Sequence, residues 1–411
     1  MRDGEAMKRL SLLTLMVGAQ LGGDVVMGAD WAIYRGANHD GISKETGWAA
    51  EFGGDGPKVL WEAEVGIGFA AFTVVEGKVY TTGHAEDQDT VFCFGAADGK
   101  LIWKHSYAAD LGDKYYEGGT SATPTVSGGK VYHLSRWGDV FCFEAATGKV
   151  VWSKNVQQET EAKIPDWGFA GSPYVTGDLV ILNVGQSGMA LNKATGKTVW
   201  SSGKESAAGY STAYPLAGDQ GIVVLAAEDA YNAVEVKTGK VVWSLPWKTR
   251  YGVNAASPIQ SGDKLFISSG YNRGCGLFQL GAGTPTVIWE NKNLRNQFNS
   301  SVLIDGYVYG IDDDENKKAS LRCVALATGE VKWTEKGIGF GALMAADGKL
   351  IVQTDKGELV IAKATEKAFE EISRAQVLSG RCWTVPVLVD GRLYVRNAEG
   401  AVKCLNLKKK G

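Results

Sequence analysis

Apolar and polar positions along this chain fall into two short units that recur in alternation. The first is a β-rich run closed by tryptophan after a glycine turn. It reads Ala145-Ala146-Thr147-Gly148-Lys149-Val150-Val151-Trp152, and returns as Asp98-Gly99-Lys100-Leu101-Ile102-Trp103, Thr195-Gly196-Lys197-Thr198-Val199-Trp200, Thr238-Gly239-Lys240-Val241-Val242-Trp243 and Thr328-Gly329-Glu330-Val331-Lys332-Trp333. Glycine takes a turn position with positive φ without steric cost, and the Thr or Asp before it can hydrogen-bond the local backbone. The Val/Ile run suits a pleated, half-buried surface, and a tryptophan at one fixed slot supplies a plate that packs between neighbouring sheets.

The second unit is an apolar run, a glycine turn and another apolar run. It occurs at residues 74–80 around Gly77, 124–132 around Gly129, 173–181 around Gly177, and 215–224 around Gly218 and Gly221. It occurs again at 258–266 around Gly262, 302–309 around Gly306, 344–351 around Gly348 and 386–394 around Gly391. Eight such hairpins, each followed by the tryptophan unit or a degraded form of it, predict an all-β fold: an eight-bladed propeller of four-stranded antiparallel blades. Lys58-Val59-Leu60-Trp61 is a tryptophan-ending strand with no hairpin before it, and the last hairpin has none after it. The N-terminal strand is therefore expected to complete the last blade, which removes two open sheet edges.

The 411 residues divide into a secretory signal at 1–29, an ordered lead-in at 30–57 and the propeller at 58–411. Lys8 and Arg9 followed by the apolar core 10–17 and the small-residue site Val26-Met27-Gly28-Ala29 have the form of an export signal. The expected location is periplasmic or extracellular. No cysteine stands near that site to carry a lipid. A net charge of −3 gives no reason to expect nucleic acid. Cys93, Cys142 and Cys323 each lie ten positions before a repeat Trp, where other blades have Ala190 or Ala233, so these cysteines are expected to pack and not to pair. The four histidines lack metal-ligand spacing, and the acidic run Asp312-Asp313-Asp314-Glu315 is expected to be a solvated turn.

Both tight turns of every blade must lie on one face, so the longer connections lie on the other, where binding residues concentrate. Those connections carry Tyr115, Tyr116, Trp167, Tyr210, Tyr251, Asn254, Asn296, Asn299, Arg381 and Trp383, joined by Tyr271 and Arg273 from loops within blades. Aromatic plates beside Arg and Asn suit a planar, anionic or polyhydroxylated ligand. These residues are the expected channel-mouth site, with no catalytic residue and no metal ligand assigned.

The Thr-Gly-Lys-x-x-Trp repeat resembles the pyrroloquinoline quinone (PQQ)-like repeat superfamily over roughly residues 31–407. The superfamily contains quinoprotein alcohol dehydrogenases as well as non-enzymatic, BamB-like members. The first would imply PQQ with calcium and oxidation of an alcohol or sugar; the second implies a monomeric scaffold for a protein or glycan of the cell envelope. The vicinal Cys pair that many quinoprotein dehydrogenases carry is missing here, and Asn254 has no obvious acidic companions for calcium. The expectation is a non-catalytic binding protein, with the quinoprotein as alternative.

Overall fold

A computed structural model describes residues 30–218, 221–313 and 318–409; the expected signal segment lies outside them. Eight sheets follow one another along the chain, at residues 73–108, 125–155, 174–201, 214–246, 259–291, 302–336, 342–376 and 387–406. They are called blades 1 to 8 here. Each is an antiparallel meander whose first strand is the innermost, except that blade 7 carries one more strand inside it. The middle strands are buried on both faces because neighbouring blades stack on them, as in Lys130–Leu134 and Asp139–Glu144. Outer strands keep the alternation of a half-exposed surface, as in Val331–Lys336.

The repeat is explained by contacts between consecutive copies. The indole N–H of Trp103 in blade 1 donates to the carbonyl of Ala145, at the turn of blade 2 (2.9 Å). Trp152 reaches Lys193 in the same way (2.9 Å), and Trp200 reaches Val236 (2.8 Å). The turn glycine of the next blade lies flat against that ring. A Cβ on Gly148 would come within 2.6 Å of the Trp103 ring, and one on Gly196 within 2.6 Å of Trp152. Glycine is thus required twice over, by a φ of 70° at both positions and by the plate beneath. Behind the tryptophan stands a small residue and then a tyrosine: Tyr80, Cys93 and Trp103 face one another across three strands. All six cysteines are buried and unpaired.

Closure follows the expected route. Val59–Glu64 pairs antiparallel with Ala401–Asn406 as the outer strand of blade 8, placing Trp61 opposite Cys404. Trp61 then clasps blade 1 by donating to the Ala96 carbonyl (3.1 Å).

Two features were not legible in the repeat. Blade 7 has Ser373 at the tryptophan slot and gains a fifth, parallel strand on its inner edge, Ile42–Ser43. The lead-in also crosses the channel axis at the tight-turn end. Trp31 bridges Val74 of blade 1, and Ala32 accepts from Val126 of blade 2. Arg35 then donates to the Ser301 carbonyl of blade 6 (2.6 Å), Gly41 accepts from Ala345 of blade 7, and the Glu45 carboxylate caps the blade 8 turn at Gly391 (2.8 Å). Blades 2 and 6 stand on opposite sides of an eight-bladed ring, so this segment closes one end of the channel.

The acidic run differs from expectation. Asp312 is fully buried and ion-paired with Arg295 (2.7 Å) and Arg322 (3.1 Å), because the end of its strand turns inward and the two guanidinium groups meet it there. Asp314 and Glu315 lie outside the described residues. Among the described residues the one helix is Val156–Thr160, and no helix is long and apolar enough to cross a membrane.

Candidate binding site

Just before each inner strand the chain runs along the channel wall in extended form, so alternate residues face the axis. The pairs Phe69/Ala71, Ser121/Thr123, Ala170/Ser172 and Tyr210/Thr212 occupy equivalent places in blades 1 to 4, and all line one cavity of about 300 Å³. The hydroxyls knit neighbouring blades together. Ala71 N–H donates to Thr123 Oγ1 (3.0 Å), Thr123 N–H to Ser172 Oγ (3.1 Å), and Ser172 N–H to Thr212 Oγ1 (2.9 Å). The same bond joins Ser257 N–H to Ser300 Oγ (2.8 Å).

The facing wall is aromatic. Trp383 stacks on Phe69 (5.5 Å between centroids, 29°) and lies against Phe298 (4.6 Å, 37°). Tyr116 packs on the other side of Phe69 (5.5 Å). Trp167 and Tyr210 meet edge to face (6.0 Å), and Tyr271 completes the rim with Gln297. Tyr34 of the lead-in lines the cavity as well. The cavity is therefore a funnel, open on the long-loop face and shut at the other end by the crossing segment.

Of the expected site residues, Tyr115, Tyr116, Trp167, Tyr210, Tyr271, Asn299 and Trp383 line this cavity. Burial raises the Tyr210 and Tyr271 phenols above their ordinary values, which keeps both as O–H groups at neutral pH. Tyr251 is at the rim, 46 % exposed and edge-on to Tyr271 (5.0 Å). Arg381 stacks over Trp383 (4.3 Å) and pairs with Glu117, tying blade 8 to the 109–120 loop. The other three do not line the cavity. Asn254 is buried and donates to the carbonyls of Ala227 and Trp247 (2.9 and 3.0 Å) while accepting from Ser269 (2.8 Å). Asn296 donates to the Ile311 carbonyl (2.9 Å) and accepts from Ser301 (2.9 Å). Arg273 lies on the Trp247 ring (3.4 Å) and pairs with Glu290 (3.1 Å).

Phe69, Phe298, Tyr34 and the hydroxyl arc were not among the expected site residues. A signal existed for the arc: Thr123-Pro124, Ser172-Pro173 and Ser257-Pro258 each stand at the start of an inner strand.

Among the described residues no charged side chain lines the cavity. Behind its walls, however, Arg35, Arg136 and Arg396 are buried, and none has a carboxylate within ion-pair distance among the described residues. Arg396 is held by the carbonyls of Thr82 (2.7 Å) and Gly66 (3.0 Å), and burial lowers its pKa to about 9. Arg136 donates to the carbonyls of Leu111 (2.9 Å), Gly119 (3.1 Å) and Trp167 (2.8 Å) and to the Tyr116 hydroxyl (2.8 Å). It thereby seats two members of the aromatic wall. Arg136→Ala is expected to expose the 109–120 loop to amide exchange, beginning at Gly119, whose N–H is bonded to Leu111 (2.7 Å). Arg136→Lys should not restore protection, because a point charge cannot replace the planar fork. Unchanged exchange in both variants would show that the loop holds itself.

The donor set does not suit a calcium-held quinone. A calcium site needs several oxygen ligands, carboxylates among them. Among the described residues the cavity presents no carboxylate, and the side-chain polar atoms of Asn254 are already used by their neighbours. Among the described residues no group of three or more His, Cys, Asp or Glu comes together.

The solved structures most usefully compared share this architecture. BamB from Moraxella catarrhalis matches at a TM-score of 0.63 with 16 % identity, covering 85 % of this chain and 100 % of that one. A quinohemoprotein alcohol dehydrogenase from Pseudomonas putida matches at 0.69 with 15 % identity, covering 93 % and 81 %. A europium-containing methanol dehydrogenase matches at 0.70 with 12 % identity, covering 90 % and 89 %. Identities this low show the fold alone. No curated protein matches the chain. The family model described as outer membrane protein assembly factor BamB matches residues 87–335, more than half of the sequence. The chain therefore belongs to the PQQ-like β-propeller family that this BamB model represents.

Proposed function

We propose that this chain is an exported, non-catalytic binding protein of the cell envelope that captures a protein or glycan partner on its long-loop face. The observation that carries this reading is the funnel itself: a blind cavity walled by Phe69, Phe298, Trp383 and Trp167, with no carboxylate or histidine among the described residues of its lining. Aromatic rings held rigidly by their neighbours recur as anchors at binding surfaces, and Tyr, Trp and Arg dominate the energetics there. Membership of a family typified by an outer-membrane assembly factor supports the same reading.

Three measurements test it. Titration of the mature protein with PQQ and Ca²⁺ is expected to give no heat, and a dye-linked alcohol oxidation assay no turnover. Calcium-dependent heat with turnover would replace the proposal by a quinoprotein. Pull-down from envelope extract is expected to recover a partner with the natural chain and to lose it with the double variant Trp167→Ala, Trp383→Ala. Equal recovery by both would move the binding surface away from the funnel.

A further inference from the structure

Resting on that reading, we propose that the funnel takes a single neutral sugar ring, the terminal or pendant residue of a glycan. Four observations lead there. The first is that the two walls differ in chemistry. One is a near-continuous apolar plate, with Trp383 between Phe69 (5.5 Å) and Phe298 (4.6 Å). The other is the arc Thr123, Ser172 and Thr212 from blades 2, 3 and 4. A pyranose has the matching division, with C–H groups on a face and hydroxyls at the edge.

Second, the arc has unspent donors. Each of these three hydroxyls accepts one backbone N–H from the blade before it, and among the described residues none has a hydrogen bond in which it donates. Thr123 and Ser172 are 2 % exposed and Thr212 6 %, and all three residues line the cavity. A hydroxyl carries one donor and two acceptor lone pairs, so each keeps a donor and an acceptor for a ligand. A purely apolar side chain from a partner would leave these donors unmatched, whereas a hydroxylated ligand can accept from them.

Third, charge argues for neutrality. Arg35, Arg136 and Arg396 stand behind the walls without a paired carboxylate, and they oppose a cation. Asp40, Asp89 and Glu64 lie near enough to Arg35, Arg136 and Arg396 respectively to soften that field, but beyond ion-pair contact. An anion would enter without a charged partner in the lining and lose its hydration uncompensated. Fourth, the crossing lead-in with Tyr34 makes the cavity blind. It can accept the end of a chain or a branch, whereas a polymer passing through it is excluded.

Saturation-transfer NMR and tryptophan fluorescence with methyl glycosides of glucose, galactose, mannose and N-acetylglucosamine test this on the mature protein. At least one should bind, with Thr212→Val weakening it by about tenfold, the loss expected for one buried hydrogen bond. Because Thr212 also joins two blades, Trp383→Leu is the second variant; it leaves the arc intact and should weaken the same sugar by a similar factor. No transfer from any glycoside, or binding indifferent to both substitutions, overturns the sugar assignment. If a short Leu- and Phe-rich peptide binds instead and is lost in Trp383→Leu, the sugar assignment fails and the binding function stands. If neither glycoside nor peptide binds and the pull-down is also empty, both fail.

Discussion

Replacing Trp103 with alanine is expected to lower the unfolding free energy by about 3–5 kcal/mol, the range for removing a buried aromatic ring. The ring is 7 % exposed and lies against Tyr80 (5.9 Å) and Phe143 (5.7 Å). Its loss also removes one of two donors to the Ala145 carbonyl, leaving the Tyr80 hydroxyl (3.1 Å), and uncovers Gly148. Gly148→Val should destabilise through the same contact from the opposite side, since its φ of 70° and the Trp103 ring both exclude a Cβ. The two changes share one interface, so the double variant should cost clearly less than the sum of the singles. Urea titration of the four proteins measures this. Strict additivity would mean that the two blades do not meet through this pair.

The second large effect is acid sensitivity centred on His133. Its ring is buried between blades 1 and 2, with Nε2 against the Tyr107 hydroxyl (2.8 Å) and His105 nearby. Burial first, and the His105 charge second, lower its pKa from 6.5 to about 3. A base whose folded pKa is lowered leaves stability untouched above the unfolded value. As pH falls below 6.5 the unfolded chain takes up the proton first, so stability declines until the folded ring also titrates near pH 3. At about 1.4 kcal/mol per unit, the loss accumulates to roughly 4–5 kcal/mol at the end of that window. His39 of the lead-in adds to the trend; burial and Arg35 lower its pKa to about 4. Asp89 acts in the opposite direction. It is bonded to His84 (2.8 Å), and burial raises its pKa, so acid favours its folded form. Arg136 and Asp139 also face this cluster, and both are present in the natural chain and in the variant compared with it. The difference between the natural chain and His133→Gln isolates the histidine. The natural chain should lose stability between pH 6.5 and 4 more steeply than the variant, and parallel curves would remove His133 as the cause.

Much of the fold is readable because a propeller is built from local units. Each hairpin needs only its own glycine and its own alternation, so Gly129, Gly177 and Gly262 can be found without knowing what they pack against. Closure is readable too, since Trp61 is a strand ending that has no hairpin of its own. The candidate site is less so. Long loops on one face follow from strand direction, and Trp167, Tyr210, Tyr271, Asn299 and Trp383 do converge on one cavity. Asn254 and Asn296 have the same residue type and similar loop positions, yet their amides are turned into the wall to satisfy backbone carbonyls. Whether an amide meets a ligand or a carbonyl depends on neighbours that are distant in sequence.

The order of residues was enough to set the period, the blade count, the turn glycines and the ring that closes on its first strand, because each rests on contacts within a repeat or between adjacent ones. Folding in three dimensions was needed to bring the lead-in across the axis, to shut the funnel with Tyr34, and to set Thr123, Ser172 and Thr212 in an arc opposite Trp383. Those arrangements join blades on opposite sides of a ring, and no local pattern encodes a distance across a channel.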